Sequence, residues 1–202
     1  MKSFVCTWLS LAIVNLCAAQ TTLPEFGEIT AAEKALTECS FDKEADAVVI
    51  FDEASADHND QYNLIVSRRI RLKILKPRGN RHGDITIRYI HKDDIEYISN
   101  IEAYTCNYTH SGSVADIKKV PTASIYRQKI NERISVVKIA MPDVQAGSII
   151  EYKYTTTAKN YNYLEDWYFQ GELPVMHSQF SLVVMPNYEF SYRIFKSEQL
   201  PI

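Results

Sequence analysis

Extended runs with period-two alternation fill most of the chain beyond residue 45. The clearest lies at 149–154, where Ile149, Glu151 and Lys153 alternate with Ile150, Tyr152 and Tyr154. One face of that run is wholly apolar and aromatic, the pattern of a half-buried strand. Pro142 and Gly147 bracket a turn just before it, proline by fixing φ and glycine by accepting φ values that other residues avoid. The run at 62–75 sets Ile70, Leu72 and Ile74 against Arg69, Arg71 and Lys73, which predicts a strand with three cations on its solvent face. Further runs at 47–51, 84–90, 98–106, 115–120, 133–141, 152–157, 180–185 and 190–195 also read as strands. Turn signals at Pro77-Arg78-Gly79-Asn80 and His110-Ser111-Gly112-Ser113 separate them. One helix is expected, at Ala31, Ala32, Ala35 and Leu36, because Thr30 and Glu33 form a capping box ahead of it. Strands joined by short turns, without intervening helices, predict an all-β fold: an antiparallel sandwich or open barrel with one short N-terminal helix.

The N-terminal end reads differently. Lys2, an apolar run over 4–16 and the small residues before Gln20 have the layout of a secretory signal peptide cleaved between Ala19 and Gln20. The run is shorter than the roughly 20 residues that a bilayer span needs. The expected organisation is therefore a signal peptide at 1–19, a segment with a short helix at 20–45, and a β domain at 46–202 that looks truncated at its C-terminus. Export places the protein in the periplasm or the extracellular cell envelope. The formal charge of −3 lacks the basic footprint of a nucleic-acid binder. Charge is unevenly spread: acidic residues dominate 25–60, and 68–88 is mostly basic. The basic stretch reads as a surface for an anionic envelope polymer, as the ordinary solvent face of a strand, or as the counterpart of the acidic segment.

Several blocks occur together in order: Ala45-Asp46-Ala47-Val48-Val49-Ile50-Phe51-Asp52, Arg69-Ile70-Arg71-Leu72-Lys73-Ile74-Leu75, Ile98-Ser99-Asn100-Ile101, Met141-Pro142 through Tyr154, and Asp166-Trp167-Tyr168-Phe169-Gln170 with Pro174-Val175. This order resembles the bacterial domain of unknown function 3857. The resemblance implies a mainly β, non-catalytic partner that precedes a transglutaminase-like (papain-type) cysteine peptidase domain in exported envelope proteins. Such a domain, in cis or in trans, is the implied partner.

The chemistry within the chain is sparse. A thiol enzyme needs a cysteine activated by an oriented histidine. Past residue 20 only Cys39 and Cys106 remain, with His58, His82, His91, His110 and His177 as bases, and neither cysteine carries a motif of such enzymes. The two cysteines are candidates for a disulfide worth about 3–5 kcal/mol, or for two buried free thiols. Asp57-His58-Asn59-Asp60 and His91-Lys92-Asp93-Asp94 match no metal loop, so neither a metal nor a cofactor is expected. Asn107-Tyr108-Thr109 fits an N-glycosylation acceptor. The best binding candidates are Tyr161, Tyr163, Trp167 and Tyr168, whose rings suit a glycan, a peptide or a docked domain, with Asp166 as a hydrogen-bond acceptor. Period-two alternation instead sends Trp167 and Phe169 into the core and leaves Tyr168 and Gln170 outside.

Overall fold

The computed structural model describes residues 23–109, 114–159, 164–186 and 189–195. Its elements in chain order are a helix α1 (Ala31–Ala35) and nine strands: β1 (Ala47–His58), β2 (Leu64–Ile74), β3 (Asp84–Ile90), β4 (Glu96–Tyr108), β5 (Val114–Lys119), β6 (Ile125–Lys129), β7 (Ile134–Ala140), β8 (Ile149–Ala158) and β9 (Ser178–Leu182). A six-stranded sheet runs β5-β4-β8-β2-β1-β9, and a three-stranded sheet runs β3-β7-β6. Every pairing between strands is antiparallel except β1 with β9. The architecture is the expected all-β sandwich, without a closed barrel. Its core joins Ile70, Leu72 and Ile74 of β2, Ile150 of β8 and Ile98 of β4 to Ile87 and Tyr89 of β3 and Val137 and Ile139 of β7. Burial of these aliphatic faces is the main force holding the two sheets together.

The turn ahead of β8 forms as its residues require. Gly147 sits at φ +91°, where a Cβ would be strained, and its N–H donates to the Ile74 carbonyl at 2.8 Å. Thr30 caps α1 in a full capping box with Glu33. The acidic and basic segments do face each other: Arg68 meets Asp52, Arg69 meets Glu53, Lys76 meets Glu44 and Arg78 meets Asp46.

The expectation of a cationic solvent face on β2 is overturned. Arg71 is 0% exposed and Lys73 4%, because residues 24–36 cross this side of the sheet as a strap. Arg71 Nη1 bonds Glu33 at 2.7 Å, and its Nη2 bonds Glu151 at 2.8 Å. Arg69 also reaches Glu151, at 2.6 Å, and donates to the Pro24 carbonyl. The Gly27 N–H donates to Glu151 at 3.1 Å, and Tyr104 donates its hydroxyl to the same carboxylate. Phe26 packs edge-on against Tyr104, with Lys153 4.5 Å from its ring centroid. β8 is consequently not half-buried at its start, since Glu151 is fully enclosed on the face assigned to solvent. Period two sorts side chains to two faces correctly but does not say whether a distant segment covers the polar one.

Other boundaries differ for local reasons. β6 escapes the pattern because Tyr126, Arg127, Gln128 and Lys129 are all exposed. β1 continues past Phe51 because Ala54 and Ala56, small but buried, keep the alternation going. β2 begins only at Leu64, after a tight turn in which Tyr62 has φ +60°. Pro77–Gly83 is a 3-10 segment longer than a simple turn. Residues 190–195 form no strand.

Candidate docking surface

The sequence candidates divide on the structure. Tyr161, Tyr163, Ala19 and Gln20 lie outside the described residues. Trp167 is half-buried and held on three sides. Its indole N–H donates to Ser178 Oγ at 3.0 Å, its ring lies 5.2 Å from that of Phe180, and the Arg68 guanidinium sits 4.7 Å from its centroid. Arg68 is fixed in turn by two bonds to Asp52, at 2.8 and 2.6 Å. Trp167 therefore latches the chain after β8 onto β2 and β9. Gln170 continues the attachment by bonding the Val175 carbonyl and N–H at 2.9 and 3.0 Å. Asp166, Tyr168 and Phe169 are exposed. The expectation that Phe169 turns inward fails because 164–170 is not a strand, so period two does not apply to it.

The larger unpartnered surface lies beyond the latch. Val183, Val184, Phe190, Tyr192, Ile194 and Phe195 are between 44% and 88% exposed, and they follow β9, the outermost strand on its side of the sheet. With His58, Leu64, Leu164 and Leu182 the first part of this segment encloses a groove of about 270 Å³. Both ring nitrogens of His58 are buried there without a hydrogen-bond partner. Exposed apolar side chains of this size and number in one segment mark an interaction surface. Its signal was present in the sequence: Phe190, Tyr192 and Ile194 alternate with Ser191 and Arg193 as in a strand, yet no ladder receives them.

A second groove, of about 440 Å³, opens on the strap side of the six-stranded sheet. Ser55, Ser67, Thr155 and Asn100 form its floor, and Glu53, Arg69, Lys153 and Glu102 line one wall. The charges pair among themselves, Lys153 with Glu102 at 2.8 Å and Arg69 with Glu53 at 3.8 Å, so what the floor offers is hydroxyl and amide groups.

Cys39 and Cys106 are both buried free thiols, 1% and 0% exposed. Cys39 packs with Ala45 and Val48, and Cys106 lies on β4 opposite Ile149. Among the described residues no cluster of three or more potential metal ligands occurs, and no helix is long and apolar enough to cross a membrane. Asn107 is buried, its amide donating to the Asp143 carbonyl at 3.0 Å and its oxygen accepting from Ser148. In the folded domain it is committed to that turn, not presented for glycosylation.

The family model of a domain of unknown function with a solved structure matches residues 47–201. The chain belongs to the DUF3857 family. Among solved structures it is similar to the crystal structure of a "putative protease" from Parabacteroides distasonis, at 13% identity and a TM-score of 0.47, over 56% of this chain and 23% of that one. It is also similar to native yeast LTA4 hydrolase, at 12% identity and a TM-score of 0.26, over 55% of this chain and 14% of that one. The chain thus spans less than a quarter of either protein. No curated protein matches it. The DUF3857 match leaves the strap outside and takes in the exposed apolar segment.

Proposed function

We propose that this DUF3857 chain is an exported, non-catalytic β domain that docks against and positions a transglutaminase-like peptidase domain. The observation that carries the reading is the exposure of Val183, Val184, Phe190, Tyr192, Ile194 and Phe195 in the chain that follows the edge strand β9. Large exposed aromatic and aliphatic side chains in one segment are costly in water and favourable in an interface. A role without chemistry of its own accords with the buried thiols, because a nucleophilic cysteine needs solvent access and a nearby charge to hold it as thiolate. A photo-crosslinking residue placed at Tyr192 in the producing cell tests the proposal. Attachment to a polypeptide that carries a transglutaminase-like domain, identified by mass spectrometry, is the expected result. Attachment only to a second copy of this chain sinks it.

A second reading, an envelope glycan- or peptide-binding module, is favoured by the hydroxyl-lined floor of Ser55, Ser67 and Thr155. It moves the binding surface from the Trp167 segment to the opposite face of the sheet. Sedimentation with peptidoglycan that is lost when Ser67 is replaced by tryptophan, with the fold retained, would support it over docking.

A further inference from the structure

Where α1 of the strap meets β2 and β4, two lysines share the face of one aromatic ring, and the carboxylate that acts on Lys73, Glu33, is bound elsewhere. Lys73 is 4% exposed, yet its Nζ makes a single hydrogen bond, to the Lys34 carbonyl at 3.3 Å. It lies 5.4 Å from the centroid of the Tyr108 ring, and Lys34 Nζ lies 5.8 Å from the same ring. Neither lysine takes part in any ion pair among the described residues. Glu33, on the same helix as Lys34, is already committed: one carboxylate oxygen binds Arg71 at 2.7 Å and the other accepts the Thr30 N–H at 2.6 Å. The Tyr108 hydroxyl is also buried, beside the Cys106 thiol.

A buried ammonium offers three donors and costs several kcal/mol unless it is paired. The ring face and one carbonyl offset only part of that cost. The space beside these groups is open: a pocket of about 300 Å³ is lined by Lys34, Leu36, Thr37, Lys73, Tyr108 and Gly147. We propose that this pocket binds a small oxyanion, a carboxylate or a phosphate group, with Lys73 and Lys34 as its charge partners and the hydroxyl of Thr37 as a further donor. The apolar side of Leu36 would face the remainder of the molecule that carries the anion. Burial already lowers the pKa of Lys73, and an anion within reach reverses that push by favouring the charged form.

Thermal unfolding of the purified chain tests the site, with inorganic phosphate and acetate in separate arms and sodium chloride at matched ionic strength as the control. A saturable rise of roughly 5–10 °C is expected at a hundredfold excess over Kd for at least one of the two anions. The arm that responds tells phosphate from carboxylate. Lys73→Met removes the buried charge and fills its space with a side chain of similar length, so the variant should fold. It is expected to lose the rise, and Lys34→Met to reduce it. A distant lysine variant, Lys129→Met, should keep it. A rise of the same size in Lys73→Met means an adventitious ion only and overturns the proposal. So does the absence of any saturable rise with both anions.

Discussion

Glu151 stands at the centre of the buried polar cluster, and replacing it by glutamine tests whether that cluster holds the strap down. The carboxylate is 0% exposed and accepts from Arg71, Arg69, Tyr104 and the Gly27 N–H. Glutamine keeps the shape but removes the charge, leaving Arg71, also 0% exposed, with Glu33 as its remaining carboxylate. Breaking a fully buried pair from one side costs about 3–5 kcal/mol. Because Glu33 still compensates Arg71, the loss should fall near the lower end, about 3 kcal/mol. For a domain of this size each kcal/mol lowers Tm by about 2–4 °C, so a fall of roughly 6–12 °C is expected. Urea unfolding followed by the fluorescence of Trp167, which is half-buried against Arg68 and Phe180, measures the change. The double variant Arg71→Met with Glu151→Leu removes both charges together and should be more stable than Glu151→Gln, with a coupling energy of about 2 kcal/mol or more. A loss below about 1 kcal/mol in the single variant refutes the reasoning. Single effects that add to within about 0.5 kcal/mol refute it equally.

Three further outcomes follow from local geometry. Trp167→Ala should cost about 2 kcal/mol, below the 3–5 of a fully buried ring, and should speed chymotrypsin cleavage at Tyr168 and Phe169; unchanged proteolysis would show that the indole is not the latch. Gly79→Ala should destabilise more than Gly147→Ala in urea titrations. A Cβ on Gly79 collides with the Asp46 carbonyl, whereas one on Gly147 meets nothing and carries only the φ strain, about 1 kcal/mol. His82 has its pKa lowered, chiefly by burial and then by Arg81. The unfolded chain therefore takes up the proton first, and stability should fall as pH drops through about 6.5 and on to the folded-state value. His82→Gln should flatten that part of the stability–pH curve, and an unaltered curve contradicts the assignment.

The sheet was legible in the sequence wherever a face is apolar. Ile70, Leu72 and Ile74, and likewise Ile150 and Tyr152, point where alternation puts them, since water expels such rows whatever lies on the other side. The polar rows were not legible. Arg69, Arg71, Lys73 and Glu151 have the spacing of a solvent face, and only contacts with residues 24–36, between 38 and 124 positions away for the bonds to Arg71 and Glu151, turn them into an interior. The capping box of Thr30 and Glu33 revealed the helix but not that Glu33 serves a second partner. At the candidate docking surface, the alternation of Phe190, Tyr192 and Ile194 was visible; that it pairs with nothing depends on where the two sheets end. The aromatic cluster around Trp167 left two readings open in the sequence. Aromatic density reads equally well as a surface or as a latch, and the choice rests on Arg68, Ser178 and Phe180, which no local pattern brings together.

The strap links the buried cluster to the lysine pocket. Residues 24–36 lie outside the segment matched to the family, 47–201, and they supply Glu33 to the cluster and Lys34 to the pocket. An oxyanion held between Lys34 on the strap and Lys73 on β2 would tie the two together, so whatever loosens the strap must weaken the anion, and the reverse holds by linkage. Glu151→Gln touches neither lysine, but it removes the negative charge that meets both the Gly27 N–H of the strap and Arg71, the partner of the strap's Glu33. If the variant leaves the strap docked in one molecule in ten, the apparent Kd for the anion should rise about tenfold with no change in the pocket itself. Protection of the strap from trypsin at Lys34 should then reappear as the anion saturates. Titration of wild type and Glu151→Gln with the same anion decides the matter: equal affinities would mean that the cluster and the pocket are independent and that the strap docks without Glu151.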